Sequence, residues 1–515
     1  MSTGAPGDGP GFDAFSKAYG EGRAQVVWTR LVDDLETPVS AFLKIGHGRK
    51  YAFLFESVEG GAWRGRYSIV TLKPDLVWRA FGETAEIAQG YDAVAAGTFT
   101  REKLGTLDSL RALIAASEID TPAELPPMAA GLFGGLGYDM IRLAEPVGLA
   151  KADPLNLPDA VMTRPSIVAV FDAIGHEIIL ITPVRAAAGV SAQAAYDAAQ
   201  ARLAETTADL RRPLPAHAPG EKREQIAPVS PVDRAGYARV VEKAKRYIAA
   251  GDIFQVVPSH RFRAPFDRDP FAFYRSLRRT NPSPFLFFLD FGDFQLAGSS
   301  PEILVRLRDD KVTIRPIAGT RRRGATPAED LALEAELLAD PKELAEHLML
   351  LDLGRNDVGR AVMLREEGRN AQVQTTPRVR VTQSFAIERY SHVMHIVSNV
   401  EGDAPPGLDP VDVILTALPA GTVSGAPKVR AMQIIDELEH EKRGMGYAGA
   451  VGYISGRGEV DTCIVLRTAM FKDGALYVQA GGGVVADSDP DAEYEETLHK
   501  SSAVRRAAEE AWRFG

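Results

Sequence analysis

The sequence predicts a mixed sheet-and-helix protein rather than a doubly wound parallel sheet, and three observations predict it. Two apolar runs, Glu302 to Arg308 and Lys311 to Ile317, meet at Asp309-Asp310, and Cys463 to Phe471 meets Ala475 to Val485 at Asp473-Gly474. Such short turn-formers between apolar runs mark antiparallel hairpins. Helical spacing appears apart from these pairs, over Glu329 to Leu351, Pro427 to Glu441 and Pro490 to Trp512, each with a charged outer face. A chain of 515 residues that is 45% hydrophobic also has the material for a core larger than one ordinary domain.

In chain order, residues 1–22 are rich in glycine and small polar residues and read as a mobile N-terminal tail without a signal peptide's basic-then-apolar layout. An N-terminal region, 23–204, follows. It holds strand patterns at Tyr51 to Phe55, Ser166 to Phe171 and Glu177 to Thr182, the last two forming a hairpin around Asp172 to Gly175. Ala192 to Leu210 has helical spacing. A linker is expected over 205–232, where Arg211 to Pro231 collects five prolines and almost no apolar periodicity. The last region, 233–515, opens with a helix from Arg234 to Ala249 that stops at Gly251.

Composition excludes several classes. A formal net charge of -10 supplies no basic field for nucleic acid. The single cysteine, Cys463, rules out an intrachain disulfide and a cysteine-rich metal site and fits a reducing, cytoplasmic setting. No apolar run approaches the roughly 18 residues of a membrane span; Ile167 to Thr182 is interrupted by Asp172, His176 and Glu177.

Two acidic helix faces draw attention. Glu343 and Glu346 lie three apart in Asp340 to Asp357, among Leu344, Leu348, Leu350 and Leu351, and Glu493 and Glu496 repeat the spacing with Lys500 one turn on. Taken singly, each is more often a solvated face or a surface ion pair. Together they can offer oxygens from opposite sides to Mg²⁺, which prefers six oxygen ligands and keeps some waters. Two glycine-rich segments, Gly421 to Lys428 before a helix and Gln479 to Val485 at a strand end, let backbone amides approach an anion closely. The first is no P-loop, since Pro427 stands where the Gly-Lys-Ser/Thr ending would be. His392 and His395 sit in an alternating, strand-like run where a structural role is the ordinary reading of either. No serine or cysteine occupies a nucleophile elbow.

Over about Asp233 to Ala511, and more weakly from Thr29 to Thr182, the chain resembles the chorismate-utilising enzymes. The strings that carry the resemblance are Pro-Ile-Ala-Gly-Thr-Arg at 316–321, Lys-Glu-Leu-Ala-Glu-His at 342–347, Asp352 to Asp357, Gly-Thr-Val-Ser-Gly-Ala-Pro-Lys at 421–428, and Glu493 to Lys500. The resemblance implies an α+β fold of two orthogonally packed β-sheets enclosed by helices and a Mg²⁺-dependent chorismate site. It implies Glu346, Glu493 and Glu496 at the metal, and Tyr447, Arg467, Gly481, Gly482 and Gly483 around the substrate. It assigns Glu343 as general acid, its pKa raised by burial, His395 to pyruvate elimination, Thr422 to the pocket and Lys500 to proton handling.

Ala318 stands where the aminodeoxychorismate-forming branch carries a nucleophilic lysine, and Thr422 where the ammonia-using branches carry threonine. The expected activity is therefore that of a lyase joining chorismate and ammonia to give anthranilate and pyruvate, for tryptophan biosynthesis. The alternatives are the aminodeoxychorismate branch and a non-catalytic tryptophan-binding module, which would have lost a metal carboxylate or Arg467. No glutaminase segment is present, so a glutamine amidotransferase subunit is the expected partner. Similarity to tryptophan-binding segments implies feedback inhibition through Glu56, Ser57, Pro284, Phe285, Leu286, Gly458 and Cys463.

Overall fold

The computed structural model describes all residues except 1–8, 58–64, 149–150, 152, 216–219, 223–227, 364–378, 391–392 and 515. His392 lies outside the described residues, as does the first part of the expected tail. The α+β class holds. All strand pairings are antiparallel; apart from the short pair Gln255–Val256 with Gly425–Ala426, they form two sheets that share one long ribbon, Tyr67–Phe81 paired with Ala160–Asp172.

In the first sheet the order is Gln25–Val32, Glu177–Val184, Ala160–Asp172, Tyr67–Phe81, Phe53–Glu56, Phe285–Asp290, Gln295–Ser300, Thr468–Lys472, Ala475–Gly481 and Ser259–Pro265. In the second, Thr84–Gln89 and Gly131–Leu136 flank the far halves of the ribbon strands. Gly131–Leu136 leads on through Ala450–Ser455, Val460–Ile464, Ile303–Arg308 and Lys311–Ile314 to Val393–Asp403. The ribbon changes sheet at a register shift where Pro74 faces Pro165. Neither proline donates to the ladder, so the pairing breaks there and the strands bend across from one layer to the other. Because Phe53–Glu56 pairs with Phe285–Asp290 and Gly131–Leu136 with Ala450–Ser455, both sheets take strands from each side of the proline-rich segment.

Three expectations need correction. Residues Phe12–Gly20 are a helix, not a tail. Phe15 is fully buried with its ring centroid 5.0 Å from that of Tyr196, so the burial of apolar side chains orders a segment whose glycines suggested freedom. The helical run expected from Glu329 to Leu351 is two helices, Pro327–Ala339 and Pro341–Met363, because a residue before proline is pushed out of the helical region and Asp340 takes ψ 109°. The strand expected from Cys463 to Phe471 is interrupted between Ile464 and Thr468, with Arg467 at φ +49°. The helices Ala192–Leu210 and Arg234–Ala249 fall where the spacing puts them, capped by Ser191 and Asp233, and the first of them runs into the expected linker.

Candidate active site

A cavity of about 750 Å³ opens between strands of both sheets and two helices, and most of the expected site residues line it. The Pro341–Met363 helix begins at Asp340, whose carboxylate accepts from the Lys342 and Glu343 amides, and this start turns Glu343 and Glu346 onto the cavity. The Pro490–Glu510 helix is capped by Asp489 in the same way and brings Glu493, Glu496 and Lys500 to the opposite side. Ala318 and His395 enter from the paired strands Ile317–Arg322 and Val393–Asp403, and Thr422 from a short 3-10 turn. Tyr447, Arg467, Gly481 and Gly483 close the floor. Gly482 backs onto Glu493: a Cβ there would lie 2.7 Å from Glu493 Oε2, so a side chain would drive the carboxylate out of place.

Glu302, which the sequence did not single out, is a candidate functional residue of this cavity. It is 7% exposed, lines the cavity, and accepts from the Thr422 hydroxyl at 3.1 and 3.2 Å. Burial pushes its pKa up to about 8, opposed by the Thr422 hydrogen bond and the Arg467 charge, so at neutral pH it keeps its proton. The signal was a carboxylate following Ser-Ser-Pro and heading the apolar run Ile303 to Val305. Glu343, expected to be the buried acid, instead forms an ion pair with Arg321 at 3.0 Å, its side chain about a quarter exposed (24%).

Burial lowers the Arg467 pKa; its left-handed backbone turns the side chain out of the ladder and into the cavity. Burial also lowers the pKa of His395, which is therefore a neutral imidazole. Its Nδ1 lies 3.1 Å from the Gly319 carbonyl, which can only accept, so Nδ1 carries the hydrogen and Nε2 is the basic nitrogen. Burial pushes the Tyr447 phenol up to about 12, so it remains a hydroxyl donor.

The acidic helices behave differently. Burial first, and neighbouring carboxylates next, raise the pKa of Glu346, with Glu343 and Glu496 both contributing. Glu493 is raised by burial and by Glu496, and its Oε2 is buried without a hydrogen-bond partner. Lys500 pairs with Glu496 at 2.6 Å and donates to the Gly481 carbonyl. Among the described residues no three acidic, histidine or cysteine side chains form a ready metal cage. Mg²⁺ needs only one or two protein carboxylates beside waters and substrate oxygens, so crowded oxygens and an orphaned carboxylate oxygen fit that ion.

Away from the cavity, Glu56 faces Leu286 across paired strands, and the Phe285–Asp290 strand places Phe285 beside it with Pro284 just before. The Glu56 carboxylate is buried and accepts from Tyr274 and Arg278. Ser57 accepts from the Gly65 amide, and Cys463 is buried in the apolar cluster that includes Phe285 and Phe55. Gly458 lies in the turn after the Ala450–Ser455 strand, where its nearest neighbour is Pro410.

Comparison with known proteins adds the following. The family model described as chorismate binding enzyme matches residues 73–506. Anthranilate synthase component 1 of Cereibacter sphaeroides is 56% identical over 506 residues, 98% of each chain. That of Pseudomonas aeruginosa is 45% identical, covering 92% of this chain and 93% of the relative. Among solved structures, anthranilate synthase component I from Streptococcus pneumoniae superposes with a TM-score of 0.73 at 35% identity, over 92% of this chain and 98% of that one. A menaquinone-specific isochorismate synthase from Escherichia coli shares the fold, with a TM-score of 0.68 at 18% identity over 98% and 96% of the two chains.

Proposed function

Because the chain belongs to the chorismate-binding enzyme family and is an enzyme acting on chorismate, we propose that it is the catalytic subunit of an anthranilate synthase. It converts chorismate and ammonia to anthranilate and pyruvate. The observation that carries this reading is one cavity holding a protonated buried acid, a neutral base and a buried arginine, with Ala318 where a covalent lysine nucleophile would stand. Relatives named anthranilate synthase component 1 support the same branch.

Arg467 and the Tyr447 hydroxyl bind the substrate carboxylates, the arginine through its planar fork, while Gly481 and Gly483 let the backbone come close. Glu346, Glu493 and Glu496 would hold Mg²⁺, which when bound neutralises charge at the ring carboxylate. Ammonia forms a bond to C2, the ring double bonds shift, and the C4–O bond breaks. Glu302 gives its proton to that oxygen, which leaves as water, and the new ammonium group releases one proton. In the second step His395 Nε2 takes the C2 hydrogen, the C3–O bond breaks, the ring becomes aromatic, and the released enolate takes a proton at its methylene carbon to become pyruvate. Glu302 thus has the role that sequence similarity gave to Glu343, and Lys500 holds Glu496 in place.

Tryptophan is the proposed feedback inhibitor, bound at Glu56, Ser57 and Pro284 to Leu286 with Cys463 behind them; Gly458, in its turn against Pro410, is not among these contacts. A glutamine amidotransferase is the proposed nitrogen-supplying partner, and the cytoplasm the proposed site of action. The test is anthranilate fluorescence from the purified chain with chorismate, Mg²⁺ and excess ammonium at mildly alkaline pH, with EDTA and tryptophan as controls. Metal-dependent anthranilate inhibited by tryptophan supports the reading. Chorismate consumed without anthranilate moves the chain to another branch.

A further inference from the structure

The Gln295–Ser300 strand runs from the proposed tryptophan contacts into the floor of the chorismate cavity. Leu286 pairs with Ser299 and Phe285 with Ser300, both serines fully buried. The Ser299 hydroxyl donates to the Asn281 carbonyl and accepts from the Asn281 amide at 3.1 Å, while the Ser299 backbone N–H donates to the Arg467 carbonyl at 3.3 Å. One residue on, the Ser300 hydroxyl donates to the Glu302 carbonyl at 3.3 Å and stands 3.4 Å from the Glu302 amide; it is also the hydrogen-bond partner of the Cys463 thiol. The Glu302 carbonyl then receives the Ile464 amide at 3.0 Å. Two buried serines thus join the Asn281 to Leu286 segment to the backbones of the substrate arginine and the acid: Ser299 through its hydroxyl at Asn281 and its backbone N–H at Arg467, Ser300 through its pairing with Phe285 and its hydroxyl at Glu302. In a close-packed interior a shift of one end of such a chain displaces the other.

We infer that Ser299 and Ser300 are positioning residues that couple the Asn281 to Leu286 segment to Arg467 and Glu302. This rests on the reading of Pro284 to Leu286 as part of the tryptophan site and of Glu302 as the acid. A ligand that moves Leu286 changes its ladder partner Ser299, and with it the carbonyl of Arg467. A shift at Phe285 reaches Glu302 through Ser300. Neither serine touches substrate; each acts through the residue it holds.

The test separates binding from inhibition in the full chain. Tryptophan affinity is measured by calorimetry and inhibition by anthranilate formation, for the wild type, Ser299→Ala, Ser300→Ala and Asn281→Ala. Asn281 is only partly buried, and its variant removes the side-chain bond to Ser299 if a serine variant fails to fold. The expected result is tryptophan affinity within about twofold of wild type while the concentration for half inhibition rises about tenfold, the size of a typical coupling between sites. The KM for chorismate should rise in Ser299→Ala, and kcat should fall in Ser300→Ala. Affinity and inhibition declining together in all three variants would overturn the coupling. Wild-type chain that binds no tryptophan would overturn the site reading instead, and the coupling with it.

Discussion

The proposed chorismate cavity has an inner and an outer wall, each built around carboxyl groups in opposite surroundings. On the inner wall Glu302 stands apart from other carboxylates, sealed at 7% exposure with a threonine hydroxyl and a distant arginine for company, and it holds its proton to about pH 8. On the outer wall Glu343, Glu346, Glu493 and Glu496 crowd together: burial first, and then the neighbouring carboxylates, raise the pKa of Glu346 and Glu493, while Arg321 pairs with Glu343 and Lys500 with Glu496. Isolation suits a carboxyl group to donate a proton, whereas crowding suits several to hold the proposed cation. The two walls can therefore be separated by mutation.

The largest effect is expected at Glu302→Gln, which keeps shape and removes the transferable proton. Its kcat for anthranilate should fall about 10²- to 10⁴-fold, the range of general acid catalysis, with KM nearly unchanged; a loss below tenfold would break the comparison at its inner wall. In the wild type kcat/KM should decline as pH rises past about 8, where Glu302 ionises. Stability follows the same group. Its folded pKa is raised from 4.5, so the folded state binds the extra proton between about 4.5 and 8 and loses stability as pH climbs through that window. The glutamine variant lacks this loss, so its melting temperature should gain on the wild type from pH 5 to pH 8.

Arg467→Lys comes next. The charge stays but the two-pronged grip on a carboxylate goes, and kcat/KM for chorismate should drop about 10- to 100-fold, mainly through KM. An unchanged KM would show that the substrate carboxylates are held elsewhere. At the outer wall, Glu496→Gln should raise the Mg²⁺ needed for half-maximal activity by at least about tenfold, with substrate saturation at high Mg²⁺ little altered. An equal loss of kcat at every Mg²⁺ concentration would make Glu496 part of the chemistry rather than of the cation site.

The two walls were also unequally legible in the sequence. The outer wall announces itself through helical spacing, since Glu343 and Glu346, like Glu493 and Glu496, share a face by period alone. The inner wall is assembled from residues with no common period: Glu302 at a strand start, Thr422 in a 3-10 turn, Arg467 in an interruption of what reads as one continuous strand. Its chemistry depends on burial, which no local pattern around Glu302 expresses except the apolar run that follows it. The fold shows the same division. The hairpin turn at Asp309-Asp310 and the capped helices are local and were readable, whereas the sheet-switching ribbon at Pro74 and Pro165 joins residues 91 apart by register alone.

The smallest effect is the most discriminating. Glu343 lies on the cavity, at the helix position where similarity places the acid, but its ion pair with Arg321 keeps it partly in solvent. A partly exposed ion pair contributes little, so Glu343→Gln should change kcat by no more than about fivefold and leave the alkaline limb of the pH profile where Glu302 sets it. If Glu343→Gln abolished turnover while Glu302→Gln kept it, the proton donor would sit on the crowded wall. Isolation would then not be what makes the acid here, and the alkaline limb would have to be assigned to another group.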